Sequence, residues 1–349
     1  MRALRDRGHD VRVLCTDTYL DVESPEDTGA DVHRSLHWYW RDHQWPRLSL
    51  GARLAVERYD RDVLAMHVRD FAPDAIAFFA MGGLPMSLIT KNRLPAIGVV
   101  HDDWLVYGPR EDQWHRLVPR RRRRAHGVWL FVSGFTRDRA LDAGWSLATT
   151  DVVPAGVEPA FRRPRPSPPW SWSLLFVGRL EERKGGGVAL AALEQLPGQA
   201  RLTVAGAALI DAGTRVRVLG SVAHTDLPYA YAAADVVIAP SLVEEPFGLV
   251  ALEAMALGRP VVATARGGAA EYLRDGVNAL VVEPDDPAGV AAAVRRLADD
   301  PALRTRLRHG GIATAKEHTA ERFHARVEAA LADAVRGARV GSPPPDAGG

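Results

Sequence analysis

Four charged side chains in the second half of the chain could together take hold of a phosphorylated, hydroxyl-rich ligand. Arg179 and Lys184 lie five positions apart in FVGRLEERKG, and Glu245 and Glu253 lie eight apart in SLVEEPFGLVALEAMALGRPVVATARGG. An arginine can fork two phosphate oxygens, while a lysine supplies a mobile point charge. Between the glutamates, Pro246 suits a first helical turn, where its missing N–H would be unpaired anyway, and Gly258 with Pro260 stops the helix before a strand. The spacing predicts a helix over 247–257. Its free N–H groups, from Phe247, Gly248 and Leu249, would form an anion site backed by the positive end of the macrodipole. Glu245 then sits just before the helix, and Glu253 lies roughly 12 Å along it at about 1.5 Å per residue. A ligand with phosphate in its middle and a hydroxylated ring on each side suits this arrangement, and a nucleotide sugar has that form. Acids on a solvated helix face and charges on an exposed loop would leave the same residues in the sequence.

The elements around these residues are strand and helix units. The apolar run 174–177 leads straight into Gly178-Arg179 and a helix follows, so the two cations lie where open α/β sheets bind ligands, outside the carboxyl end of a strand. Further strands are predicted at 202–205, 216–219, 235–239, 261–263 and 279–282, with helices at 186–196, 227–233 and 287–297. The first half repeats the scheme. Strands are predicted at 11–15, 74–80, 95–102 and 127–133, with a less definite one within 31–40, and a long helix spans 51–69. The acidic stretch 17–30 reads as a loop. Short continuous apolar runs such as DAIAFFA and PAIGVVHD belong in parallel sheets covered on both faces. The proline-rich FRRPRPSPPWSW at 161–172 interrupts the periodicity as a linker would.

Composition sets outer limits. The chain has 349 residues, a formal net charge of +1 and a single cysteine, Cys15. That length allows two α/β domains, the near-neutral charge gives no global preference for nucleic acid, and one cysteine allows neither an internal disulfide nor a cysteine-rich metal site. A reducing, cytoplasmic setting fits. No run reaches the roughly 18 apolar residues of a membrane span. The five arginines Arg120, Arg121, Arg122, Arg123 and Arg124 are a solvated face or a patch for peripheral contact with an acidic membrane inner face, which attracts basic residues at about 1 kcal/mol each. Without an aromatic stacking platform they do not argue for nucleic acid.

FVGRLEERKG resembles the G-R-L-x-x-x-K-G motif, and EPFGLVALEAMALGRPVV with GGAAEYLRDGVNALVV resembles the E-x7-E region, of retaining glycosyltransferases of family 4. The resemblance covers almost the whole length and is more specific in the second half. It implies an α/β, GT-B fold: two Rossmann-like domains with a cleft between them. The domains are then 1–160 on the acceptor side and 173–318 on the nucleotide-sugar side, joined by 161–172. A helix at 319–338 would cross back to the first domain, and a disordered tail would occupy 339–349. By resemblance, Arg179 and Lys184 clamp the diphosphate, Glu253 holds the ribose hydroxyls, Glu245 lies beside the donor sugar, and His101, at the end of a strand, contacts that sugar. His101 is otherwise read as structural. Glu245, His101, Arg179 and Lys184 are thus the candidate catalytic residues, and Phe247, Gly248, Leu249 and Glu253 complete the donor site. Asp102 is a weaker candidate for acceptor contact, Glu271 reads as a helix-start acid, and Ser133 as a helix cap. The donor would be a nucleoside-diphosphate sugar, the acceptor is unidentified, and neither metal nor further cofactor is expected, since fixed cations can stabilise a departing diphosphate.

Two departures from the family pattern qualify this reading. Gly185, Gly186 and Gly187 form a glycine run that should loosen a helix start. Family members also usually carry a first strand and a glycine-rich loop before the helix expected at 1–7. The natural protein is therefore expected to begin upstream of Met1, unless another segment such as 31–36 fills the gap. Rival readings are a catalytically silent nucleotide-sugar-binding subunit, and a sugar phosphorylase or nucleotide-sugar epimerase on the same scaffold.

Overall fold

Every strand described in the chain pairs in parallel, the pairing expected when helices alternate with short apolar runs. A computed structural model describes residues 2–16, 31–37, 48–111, 123–166, 169–211 and 213–340. The loop expected at 17–30, Arg120, Arg121 and Arg122, and the tail beyond 340 lie outside them. The described chain divides into two units, Met1–Val153 with His324–Gly349, and Pro154–Phe323.

In the first unit β1 (Arg12–Thr16) pairs with β2 (Asp31–Leu36), the segment weighed as a stand-in for a first strand. A separate four-stranded sheet runs in the order β3 (Ile76–Phe79), β4 (Ala96–Val100), β5 (Arg124–Phe131) and β6 (Ser146–Val152). β4 is buried along its whole length. Its Gly98 makes room for Trp129 of β5, because a Cβ there would come within 2.3 Å of the indole. Trp129 packs with Trp104 and Trp145 at ring separations of 6.1 and 6.5 Å, and the Trp145 indole donates to the Leu105 carbonyl at 2.7 Å. Sequence reading did not anticipate β6: SLATTDV is largely polar, as an exposed edge strand can be.

The second unit holds β7 (Ser173–Val177), β8 (Arg201–Ala205), β9 (Val216–Val218), β10 (Val236–Ala239), β11 (Val261–Ala263) and β12 (Leu280–Val281) in the order β12-β11-β10-β7-β8-β9. From β7 the chain steps outward to β8 and β9, then returns to the other side of β7 with β10. The order therefore reverses between β7 and β10. In doubly wound sheets that reversal opens a crevice at the carboxyl ends of the two strands.

Two stretches differ from the sequence expectation. The residues expected as a linker pack into this second unit: Phe161 is fully buried against Tyr231, and the buried Arg259 guanidinium donates to the Pro166 carbonyl at 2.7 Å. The helix Pro301–Glu317 was not expected, and it carries Gly310 and Gly311 in its interior. Here they serve close packing, because a Cβ at 310 would lie 2.1 Å from the Val277 carbonyl and one at 311 would lie 2.9 Å from the Met255 side chain. The helix Ala320–Val340 starts in the second unit and, from His324 on, groups with the first, where Arg326 pairs with Asp151 and His9 with Glu328. At the two ends of the second unit Val157 bridges Thr319, with Val157 N donating to His318 O at 2.9 Å and Ala320 N to Val157 O at 3.1 Å.

Candidate active site

Two loops leaving the sheet at its reversal point bring three of the four catalytic candidates into one unit and two of them into contact. β7 runs into Gly178 and Arg179, and a short 3-10 turn, Glu182–Lys184, ends at Gly185 in a left-handed conformation, φ 77°. A Cβ on Gly185 would sit 1.9 Å from the carbonyl of Pro240, the residue that follows β10, so this glycine is what lets the β7 and β10 loops touch. Leu242 N donates to Arg183 O at 3.1 Å across the same seam. Lys184 Nζ then donates to both carboxylate oxygens of Glu245, at 2.8 and 3.0 Å, and the buried Ser241 hydroxyl adds a third donor at 2.8 Å. Arg179 is half-exposed and pairs with Glu181 at 3.3 Å.

The helix beyond Glu245 is shorter than its sequence predicts, Leu249–Ala256 rather than 247–257. Phe247 is buried, its ring centroid 5.4 Å from Tyr272 and 5.5 Å from His318, and the chain then turns through Gly248 at φ 87° before the helix begins. The left-handed turn and the burial of Phe247 remove Pro246 and Phe247 from the first helical turn. Of the amides expected at the helix start, those of Gly248 and Leu249 lead the helix, while the Phe247 side chain packs below it. No side chain caps this helix start, so its first amides keep the partial positive charge of an uncapped terminus.

Glu253 lies on the same helix, only 8 % exposed, and accepts a hydrogen bond at 2.7 Å from the hydroxyl of the fully buried Tyr231. Desolvation pushes its pKa above the usual carboxylate value, with the Tyr231 bond and His224 pulling the other way. A carboxyl with a raised folded pKa binds its proton more tightly in the folded state, so its contribution to stability falls as pH climbs from the ordinary value through the raised one. Sequence reading missed Tyr231 and Ser241. Ser241 opens the stretch that carries both glutamates, but its spacing to Glu245 carries no signature of its own, and only the fold brings Tyr231 to a glutamate 22 positions away.

The remaining candidates are dispersed. His101, in the first unit, stands exposed after β4 with its ring stacked on Phe79 at 6.0 Å, and the protein around it still lowers its pKa by desolvation. Asp102 accepts from Trp104 N at 3.0 Å and from the Tyr107 hydroxyl at 3.4 Å, with its pKa raised by burial. Ser133 caps the helix Gly134–Asp142, accepting from Thr136 N at 3.1 Å. Glu271 is exposed in the 3-10 turn Gly268–Glu271. Of the arginine block, Arg123 donates to the Ala143 carbonyl and Arg124 opens β5 from an exposed position. Among the described residues no helix is long and apolar enough to cross a membrane.

Parallel α/β units with charged loops at a sheet reversal define a class of ligand-binding folds, and comparison with known proteins identifies which. The fold matches that of sucrose-phosphate synthase from Thermosynechococcus elongatus with a TM-score of 0.75 over 97 % of this chain and 92 % of that one, at 21 % identity. It also matches an Anabaena protein, HepE, crystallised with UDP and glucose, with a TM-score of 0.67 over 87 % and 86 %, at 22 % identity. Both likenesses show the GT-B fold. Residues 1–161 match the family model "Glycosyltransferase Family 4" and residues 172–300 match "Glycosyl transferases group 1". In sequence the chain is 38 % identical to glycogen synthase of Mycobacterium tuberculosis over 87 % of its own length and 81 % of the relative's. It is 34 % identical to D-inositol 3-phosphate glycosyltransferase of Xylanimonas cellulosilytica, over 82 % and 70 %. The chain belongs to the family 4 glycosyltransferases, and it is a transferase.

Proposed function

We propose that this enzyme moves a sugar from a nucleoside-diphosphate sugar to an acceptor hydroxyl with retention of anomeric configuration and without a metal. The observation that carries the reading is the Lys184–Glu245 pair at the reversal of the sheet, beside an uncapped helix start. Lys184, Arg179 and the amides from Gly248 and Leu249 onward supply the positive charge that a departing diphosphate needs. Glu245 faces the donor sugar and Glu253 accepts from the ribose hydroxyls. In the step itself the bond from the anomeric carbon to phosphate breaks and the acceptor oxygen bonds to that carbon from the same face. The acceptor's proton passes to the leaving phosphate oxygen, so no enzyme base is required. The names of the relatives above and the UDP and glucose bound to the Anabaena protein support a nucleotide-sugar donor.

The test is a panel of nucleotide sugars and hydroxylated acceptors, with the product's anomeric configuration read by NMR. A product of the donor's own configuration, formed equally well in EDTA, is expected. An inverted product would overturn retention, and activity abolished by EDTA and restored by magnesium or manganese would overturn the charge argument. Nucleotide binding with neither transfer nor donor hydrolysis across the panel would point to a silent binding subunit.

Tyr231 gives a second check on the same reading. Tyr231→Phe removes the bond that lowers the Glu253 pKa, so the acid limb of the kcat/KM profile for the donor should move to higher pH. Donor kcat/KM at neutral pH should fall about tenfold, the worth of one hydrogen bond to a charged group. An unmoved limb and unchanged kcat/KM would separate Glu253 from the donor.

A further inference from the structure

The stretch 267–272 fastens the loop 245–248 at both ends. Gly267 pairs with Glu245 in an isolated parallel bridge, and Gly268 N donates to Glu245 O at 2.8 Å. At the other end the Tyr272 hydroxyl donates to Gly248 O at 2.5 Å. Tyr272 is itself held firmly. It is 6 % exposed, its ring lies against Phe247 and His318, and its carbonyl accepts from the buried Asn278 amide at 2.8 Å.

The carbonyl of Gly248 and the N–H of Leu249 belong to one planar trans peptide and point in opposite directions. Whatever fixes Gly248 O therefore fixes the direction in which Leu249 N–H points. Gly248, at φ 87°, has no side chain to bias that plane, and the helix's own claim on the carbonyl is a long bond from Ala251 N at 3.3 Å. A Cβ on Gly248 would lie 3.2 Å from the Tyr272 hydroxyl and 3.3 Å from Ala269 Cβ, so the turn is also enclosed by the same stretch.

We propose that Tyr272 is a positioning residue for the donor: its hydroxyl locks the Gly248–Leu249 peptide plane so that the first amide of the helix is aimed at the diphosphate. The inference rests on the reading of this helix start as the diphosphate site. It assigns Tyr272 no contact with the donor, and it predicts a penalty confined to ligands that carry phosphate.

The test compares wild type with Tyr272→Phe, which keeps the ring and removes only the donor. UDP, GDP, ADP and dTDP are first screened by calorimetry on the wild type, and the tightest binder and its parent nucleoside are then measured on both proteins, the nucleoside by competition. An affinity for the diphosphate reduced about tenfold, with nucleoside affinity unchanged, is the expected result. Equal diphosphate affinities, or an equal loss for the nucleoside, would overturn the peptide-lock role while leaving the donor site in place. If none of the four diphosphates binds the wild type, the donor reading fails and the inference fails with it. Should Tyr272→Phe not fold, Asn278→Ser, which loosens the anchor of the Tyr272 carbonyl, is read in the same way: a selective loss for the diphosphate supports the lock, and an unchanged ratio overturns it.

Discussion

Lys184→Ala lowers kcat/KM for sugar transfer by about 10- to 150-fold, the equivalent of about 1.5 to 3 kcal/mol for a charge-assisted bond to the departing diphosphate. Lys184 now spends two of its donors on Glu245 at 2.8 and 3.0 Å. The substitution therefore acts twice: it removes a cation from the phosphate, and it leaves Glu245 with Ser241 as its remaining side-chain donor here. Lys184→Arg retains the charge but replaces a mobile ammonium by a rigid planar fork, so it should recover part of the loss. Steady-state kinetics with donor varied, on proteins whose circular dichroism matches wild type, measures both. Unchanged donor kinetics in a folded Lys184→Ala protein would remove Lys184 from the site.

Gly185→Ala should be a strongly damaging small substitution in the second unit. The residue adopts φ 77°, and the new methyl would lie 1.9 Å from the Pro240 carbonyl, a backbone atom that cannot swing aside. The left-handed conformation alone costs an alanine about 1 to 2 kcal/mol, and relieving the overlap means separating the β7 and β10 loops. A loss of about 3 kcal/mol would lower the melting temperature by about 6 to 12 °C for a unit of this size, and transfer should fall with it because Lys184 and Glu245 ride on the two loops. Gly198→Ala, where a Cβ meets nothing within 4 Å, is the control, and it should melt within a degree or two of wild type. Coincident melting curves for the two variants would show that the loops do not meet as closely as the geometry requires.

These two residues differ in how far the sequence exposes them. Lys184 was legible because an arginine and a lysine at fixed spacing follow an apolar strand, and a parallel sheet puts such residues at its carboxyl edge. Glu245 and Glu253 were legible through their spacing and the helix between them. The special role of Gly185 was not, since a run of three glycines reads only as looseness, and what it avoids is the carbonyl of Pro240, 55 positions on. Tyr231 and Tyr272 escaped notice for the same reason: a hydrogen bond to a distant partner leaves no periodic trace.

The helix boundary failed in a different way. Pro246 satisfies the rule for a first turn, yet burial of Phe247 and the left-handed Gly248 outweigh that preference and delay the helix to Leu249. β6 is largely polar, and the helix Pro301–Glu317 holds a glycine pair in its interior, where local pattern cannot distinguish a breaker from a close approach.

The Val157–Thr319 bridge gives the second unit a property of topology rather than of chemistry. The backbone that enters it is hydrogen-bonded to the backbone that leaves it, through Val157 N to His318 O and Ala320 N to Val157 O, and a Cβ on Gly156 would strike Thr319 at 2.1 Å. In connectivity the unit is a closed loop threaded into its host, with its two ends knotted by their own bonds. Such a module is a natural target for excision, transplantation into another chain, or circular permutation, because joining or cutting near those ends disturbs none of the six strands that carry the donor loops.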